Sequence, residues 1–131
     1  MDPVLRVEPR WTDLDPAGHV NNSVYLVYAE EARARLLPQA LPSAWDRVVV
    51  VHNEIDYHRP VLLSDSVEVT CAVESFGTSS FTTVHAVTAA GHKCATVRTV
   101  QVVLREDRSG ARPWTVDERV ALNDLIVPAT T

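Results

Sequence analysis

The sequence predicts an α+β domain in which one long helix lies against a five-stranded antiparallel sheet, and two patterns carry that prediction. A segment near the N-terminus repeats its apolar residues every four positions, the period of one helix face. Four later segments are rich in Val and Thr, alternate with period two and are separated by short breaks, as antiparallel strands are. Neither element can hide its apolar side alone, so the helix is expected to bury its stripe on one face of the sheet.

Residues 4–10, VLRVEPR, are β-like and lead into a polar cluster. In the next segment, SVYLVYAEEARARLL, the residues Val24, Tyr28, Ala32 and Leu36 recur every fourth position, with Tyr25 and Ala29 widening the stripe. This predicts a helix over about 22–37, with Asn21 or Asn22 as N-cap by residue type and Pro38 and Pro42 ending it. Glu31 and Arg35 are spaced to pair at i,i+4 on the opposite side, and with Glu30 and Arg33 they read as the solvated face. After Pro42 come VVVVHNEIDY, SVEVTCAVES, SSFTTVHAVTAA and KCATVRTVQVVLRE, separated by RPVLLSD, FGT and AGH. Breaks this short predict neighbouring strands in a meander, because parallel crossovers need about a dozen or more residues. VDERVALNDL predicts a short amphipathic helix and PATT a loose tail. One helix covers only part of such a sheet, and the Val-rich stretches 48–51 and 100–104 predict that a second copy of the chain completes the burial.

A chain of 131 residues with 46% hydrophobic content is expected to form one domain over 1–131. The formal net charge is -5 and no run of Lys or Arg could track a phosphate backbone, which argues against nucleic acid as a partner. The start, MDPVLRVEPRW, lacks the basic opening and apolar run of a secretory signal, and no window approaches the ~20 apolar residues of a membrane span. A cytoplasmic protein without a membrane partner is expected. Cys71 and Cys94 lie in strand-like segments without CxxC spacing or His/Cys clustering, and read as reduced, packed thiols.

The stretch 13–25, DLDPAGHVNNSVY, holds the candidate chemistry. Gly18 permits a sharp turn, Asp15 stands just before it, and the amides of Asn22, Ser23 and Val24 fall at the first turn of the helix, where N–H groups lack intrahelical partners. Such amides, with the helix dipole behind them, can hold an oxyanion while a nearby carboxylate attacks a carbonyl or activates water. Asp, Pro, Gly and Asn are also what any turn before a helix contains. Local composition leaves both readings open.

DLDPAGHVNNSVYLVYAEEAR resembles the opening motif of hotdog-fold thioesterases of the 4-hydroxybenzoyl-CoA thioesterase type, in which an acid, Pro and Gly precede the long helix. IDYHRPVLLSDSVEVTCAVESFGTSSF is similar to that family's second stretch, where Arg-Pro and a following acid connect two strands. The resemblance spans roughly 4–105. It implies a hotdog fold and hydrolysis of an acyl-CoA thioester, with Asp15 as nucleophile or general base and the backbone N–H of Asn22 polarising the carbonyl. HVNN also resembles the motif of plant acyl-carrier-protein thioesterases, where a His has a catalytic part and an Asn stands two residues ahead of it. That position is Ala17 here, so His19 is expected to orient Asp15 or water. The resemblance further implies acyl-CoA as substrate, with an acyl-carrier-protein thioesterase of fatty-acid or polyketide release or a non-catalytic acyl-CoA-binding hotdog protein as the alternatives, a homodimer assembling further into a homotetramer, and no metal or redox cofactor.

Gly18, Tyr25 and Arg59 are the candidate substrate contacts, Arg59 because a guanidinium suits the phosphates of coenzyme A. Lys93 and Arg98 are weaker candidates for that task. Glu30 and Glu31 lie on the helix where related hotdog enzymes of another branch carry their catalytic acid, a role set here below that of the solvated face because Asp15 already fills the need. One family member carries an Arg pair after its third strand; FGTSSF stands there in this chain, so those contacts do not carry over. His52, Glu54 and Asp56 share one strand face by period two, which fits a solvent-facing edge better than a metal site. Tyr57, on the alternate face, reads as core or pocket wall. No GxSxG surrounds Ser79 or Ser80, which leaves them as a hairpin shoulder. Phe76, Phe81 and Trp45 are core or acyl-pocket candidates.

Overall fold

The computed structural model describes residues 4–126. Strand β1 (Val4–Val7) and a turn of 3-10 helix (Trp11–Asp13) precede α1 (Val24–Ala40). A second 3-10 turn (Trp45–Arg47) runs into β2 (Val48–Tyr57), followed by β3 (Val67–Thr70), β4 (Ala72–Phe76), β5 (Ser80–Ala89), β6 (His92–Val103) and α2 (Val116–Asp124). The tail PATT lies outside the described residues.

All strand pairings within the sheet are antiparallel, and its order is β1-β3-β5-β6-β2, with β4 also on β5. The sheet therefore has six strands where five were expected, because the segment 66–75 breaks at Cys71. β3 pairs with β5 from Val67↔Ala89 to Val69↔Val87, and β4 resumes on the same strand at Ala72↔Val84. The meander is also corrected. β2 sits beside β6 at one edge and β3 lies on the far side of β5. The segment 58–66 between them is no tight turn: an extended chain reaches up to about 3.3 Å per residue, which lets this stretch cross the end of the sheet.

The helix stripe is buried as its period predicts: Tyr25, Tyr28, Ala29, Ala32 and Leu36 pack with Val67, Val69, Val87, Ala95 and Val97 in one cluster. Leu37, Leu41, Phe81, Val103, Trp114 and Leu122 form a second, where the Phe81 and Trp114 rings meet edge to face at 5.5 Å. Phe81 is thus a core residue. Both ends of α1 differ from expectation. Its N-cap is Ser23, whose side chain makes no cap bond, and Asn21 acts just before it by accepting the Ser23 N–H at 3.0 Å. Pro38 lies inside the helix, which continues to Ala40. The ring removes the N–H that would reach the Ala34 carbonyl, and exposed Ala34 leaves that carbonyl to water.

Arg33 is the clearest departure from the solvated-face expectation. It is 7% exposed, with Nη1 donating to Gln101 Oε1 at 3.3 Å. Thr83, His85, Thr99 and Gln101 are also buried, and this polar group is absent from both apolar clusters. His85 Nδ1 lies 3.0 Å from the Thr70 carbonyl oxygen, so it carries the proton, and Nε2 accepts from the Thr83 hydroxyl at 3.0 Å. Burial holds His85 down at about 4, which keeps this tautomer neutral. Glu31 and Arg35 form no ion pair among the described residues. Cys71 and Cys94 are free, buried thiols.

α2 starts with a reciprocal cap: Glu118 N–H donates to Thr115 Oγ1 at 3.2 Å and Thr115 N–H to Glu118 Oε1 at 2.8 Å. Arg112 grips the same carboxylate with both guanidinium nitrogens, at 2.8 and 3.0 Å, and holds it down at about 2. The folded value lies below the ordinary 4.5, so this stabilisation is complete above pH 4.5 and is lost as pH falls towards 2. Glu118→Gln is expected to lose about 2 kcal/mol in urea unfolding at pH 7. The gap to wild type should narrow between pH 4.5 and 2.

Among the described residues no helix is long and apolar enough to cross a membrane.

Candidate active site

The loop before α1 is built by its own polar groups. Asp13 is buried at 3% exposure, and its carboxylate takes the Arg10 N–H at 2.8 Å and the Arg10 guanidinium Nη2 at 3.0 Å. That guanidinium holds Asp13 below the usual carboxylate range. The Asp13 carbonyl in turn accepts the Asn21 N–H at 2.8 Å, which closes the loop at its base. Between these anchors the chain reverses. Asp15 N–H donates to the His19 carbonyl at 2.8 Å, Gly18 N–H donates to the Asp15 carbonyl at 3.0 Å, and Gly18 has φ +82, a conformation costly for any side chain. Nothing lies within 4 Å of a Cβ built there, so the requirement is conformational and not one of space.

Asp15 both builds this turn and keeps an oxygen in reserve. Its Oδ1 accepts the Ala17 N–H at 2.9 Å and the His19 N–H at 3.1 Å. Oδ2 has no hydrogen-bond partner among the described residues. The side chain is half-buried, and its two amide bonds fix the direction of the carboxylate without occupying it.

The helix start shows the same economy. The Asn21 carbonyl accepts the Val24 N–H at 2.9 Å, and the Asn21 side chain accepts the Ser23 N–H at 3.0 Å. Ser23 and Val24 are therefore not the unpaired donors expected there. The Asn22 N–H is the one of the three that meets no acceptor among the described residues. Its carbonyl accepts the Tyr57 hydroxyl at 2.8 Å.

A cleft of about 250 Å³ gathers these groups, lined by Asp15, His19, Val20, Asn22, Tyr25, Tyr57, His58, Arg59 and Pro60. Five of the six candidate residues named above thus line one cavity; Gly18 does not, and instead lines an adjoining hollow with Trp11, Leu14 and Asp15. Arg59 is exposed and also lines a neighbouring groove with Leu62, Asp65, His92 and Cys94. Its backbone N–H is tied to the Cys94 carbonyl at 3.1 Å. Tyr25 is 2% exposed and meets the Tyr57 ring edge to face at 5.3 Å.

The other candidates lie elsewhere. Arg98 pairs with Glu74 at 2.9 Å, and Lys93 is exposed without lining the cleft. His52, Glu54 and Asp56 are exposed on the edge strand. Glu30 and Glu31 are exposed on α1 and outside the cleft. Sequence reasoning missed the Arg10–Asp13 clasp and the bond from Tyr57 to Asn22. Arg10 and Asp13 at i,i+3 around a short turn were a local signal. Tyr57 offered only its alternation, since nothing local shows that the end of β2 reaches the start of α1.

One long helix wrapped by a single antiparallel sheet is the hotdog architecture, and here a polar cleft opens at the start of that helix. Comparison with known proteins agrees. The model of the thioesterase-like superfamily matches residues 9–123, and this chain belongs to that superfamily. Among solved structures, a thioesterase from Thermus thermophilus, complexed with coenzyme A and Zn, is 39% identical with TM-score 0.85, over 95% of this chain and 94% of that one. A predicted thioesterase from Bacillus stearothermophilus is 26% identical with TM-score 0.88, over 97% and 98%. The long-chain acyl-CoA thioesterase FadM of Escherichia coli is 34% identical over 80 residues, which are 57% of this chain and 61% of FadM.

Proposed function

We propose that this protein hydrolyses an acyl-CoA thioester to the free acid and coenzyme A, with Asp15 as nucleophile or general base and the Asn22 N–H as oxyanion donor. The observation that carries the reading is the pairing of two unused groups at one cleft: a carboxylate oxygen with no partner and an amide hydrogen with no acceptor, both on residues that line it. In the general-base route Asp15 takes a proton from water, and the hydroxide adds to the acyl carbon. The oxyanion so formed is held by the Asn22 N–H and the positive end of the α1 dipole. Its collapse breaks the carbon–sulfur bond, and the thiolate leaves with the proton returned from Asp15. In the nucleophilic route the same carboxylate forms a mixed anhydride that water then cleaves. His19 is read as orienting Asp15 or water, and Tyr25 and Gly18 as shaping the walls on either side of the carboxylate.

The coenzyme A named with the Thermus thermophilus relative and the acyl-CoA substrate named with FadM support this substrate class. Release of free thiol from benzoyl, phenylacetyl, short-chain and long-chain acyl-CoA esters tests it. Turnover of at least one ester is expected; failure on the whole panel sinks the reading. Arg59 is read as the contact for the coenzyme A phosphates. Arg59→Ala is expected to raise KM about tenfold and leave kcat unchanged, since a phosphate contact is equally strong in ground and transition states. We also read β2 as the place where a second copy of the chain joins, because Val50 and Val51 there are 41% and 58% exposed.

A further inference from the structure

We infer that Tyr57 is a positioning residue for the oxyanion donor: its hydroxyl pins the peptide unit after Asn22 so that the Asn22 N–H is held for the substrate carbonyl. The inference rests on the reading of Asn22 as the oxyanion donor and adds to it the group that holds it in place.

Two successive peptide units flank Asn22. In the first, the Asn21 carbonyl is bound by the Val24 N–H at 2.9 Å. In the second, the Ser23 N–H is bound by Asn21 Oδ1 at 3.0 Å and the Asn22 carbonyl by the Tyr57 hydroxyl at 2.8 Å. Three of the four polar backbone atoms are thus engaged, and the fourth is the Asn22 N–H itself. Two of these three bonds are local and come with the turn. The third arrives from β2, thirty-five residues away in sequence, and ties the helix start to the sheet.

Without that bond, the Asn22–Ser23 peptide keeps a single tether at its nitrogen and can rock. Through the shared Asn22 Cα it then no longer steadies the Asn21–Asn22 unit that carries the donor, which is held only at the Asn21 carbonyl. A hydrogen-bond donor aimed at a developing oxyanion works because it is fixed before the charge appears, so a loosened donor weakens the transition state more than the ground state. Tyr57 is suited to the task in three further respects. Its ring is braced edge to face on Tyr25 at 5.3 Å. It lines the cleft, so the bond lies beside the reacting atoms. Partial burial raises its phenol above the ordinary value, in the direction that keeps the proton on the hydroxyl. A carbonyl oxygen can only accept, so the direction of the bond is unambiguous.

Tyr57→Phe removes the oxygen and keeps the ring that packs on Tyr25. The experiment measures kcat and KM for Tyr57→Phe, Asp15→Asn and wild type on the best ester of the panel, with thermal melting as control. The expected result is a fall of about tenfold in kcat for Tyr57→Phe, with KM unchanged and the melting temperature lowered by no more than the few degrees that one hydrogen bond is worth. A ring that served only packing or substrate binding would leave kcat alone or move KM. Unchanged kcat in Tyr57→Phe, while Asp15→Asn is inactive, overturns the positioning role and leaves the hydrolase reading intact. Full activity in both variants rejects the Asp15 assignment and this inference together. A wild type inactive on every ester has no oxyanion for Asn22 to hold, and the inference falls with the function.

Discussion

Asp15→Asn should lower kcat by at least about a hundredfold while leaving the fold intact. The structure makes this substitution unusually clean. Oδ1 accepts two backbone N–H groups, from Ala17 and His19, and the amide oxygen of Asn can accept both in the same geometry. The turn and the position of the side chain should therefore survive. What changes is the free position: an amide nitrogen neither takes a proton nor attacks a carbonyl. General acid–base catalysis contributes about 10² to 10⁴ in rate, so the loss should fall in that range, and it should be a loss of kcat. Melting temperature and ester binding report the control. If the variant matches wild type on every ester, the chemistry sits elsewhere, and His19, Glu30 and Glu31 become the groups to substitute next.

The second large effect should come from the buried polar layer. Gln101→Leu is expected to cost about 3 kcal/mol in urea unfolding, because it deprives a buried guanidinium of its bonded acceptor. Arg33 has no carboxylate partner among the described residues, and its Nε is buried without any hydrogen bond. Gln101 Oε1 at 3.3 Å is what faces the charge, while Gln101 Nε2 donates to the Thr99 carbonyl at 2.6 Å. Burial already lowers the Arg33 pKa, the sign that its charged form is poorly solvated. Arg33→Met removes the charge, and adding Gln101→Leu to it should cost much less than Gln101→Leu alone. Strict additivity of the two changes would show that the pair is not coupled.

The opposite fates of two helix residues show what could be read from the chain. Tyr28 and Ala32 went inside because a period of four is a property of the segment itself, and any sheet would have covered that stripe. Arg33 belongs to the same segment, beside Glu31 and Arg35, and only the polar residues that β5 and β6 bring opposite it explain its burial. Cys71 gave no warning either, since a break that leaves both halves paired to one strand does not disturb the composition of SVEVTCAVES. The strand order was hidden for a similar reason: segment length bounds where a chain can go, not which neighbour it finds. At the site, the turn, the acid and the helix start were local and legible, and Tyr57 was not.

On the side away from β2 the sheet ends in β4, where the chain after α2 covers Val73 through its N–H to the Leu125 carbonyl at 3.1 Å, and in β1; the β1 and β2 borders are unequal. β1 has four residues, places Arg6 against Glu68 at 3.4 Å and is followed by Pro9, all of which blunt it as a template. β2 has ten, and its residues are mostly exposed. A molecule with one receptive border and one blunted border cannot propagate a sheet from copy to copy. Were two β2 borders to meet, each would consume the other, and growth through the backbone would stop at that first step.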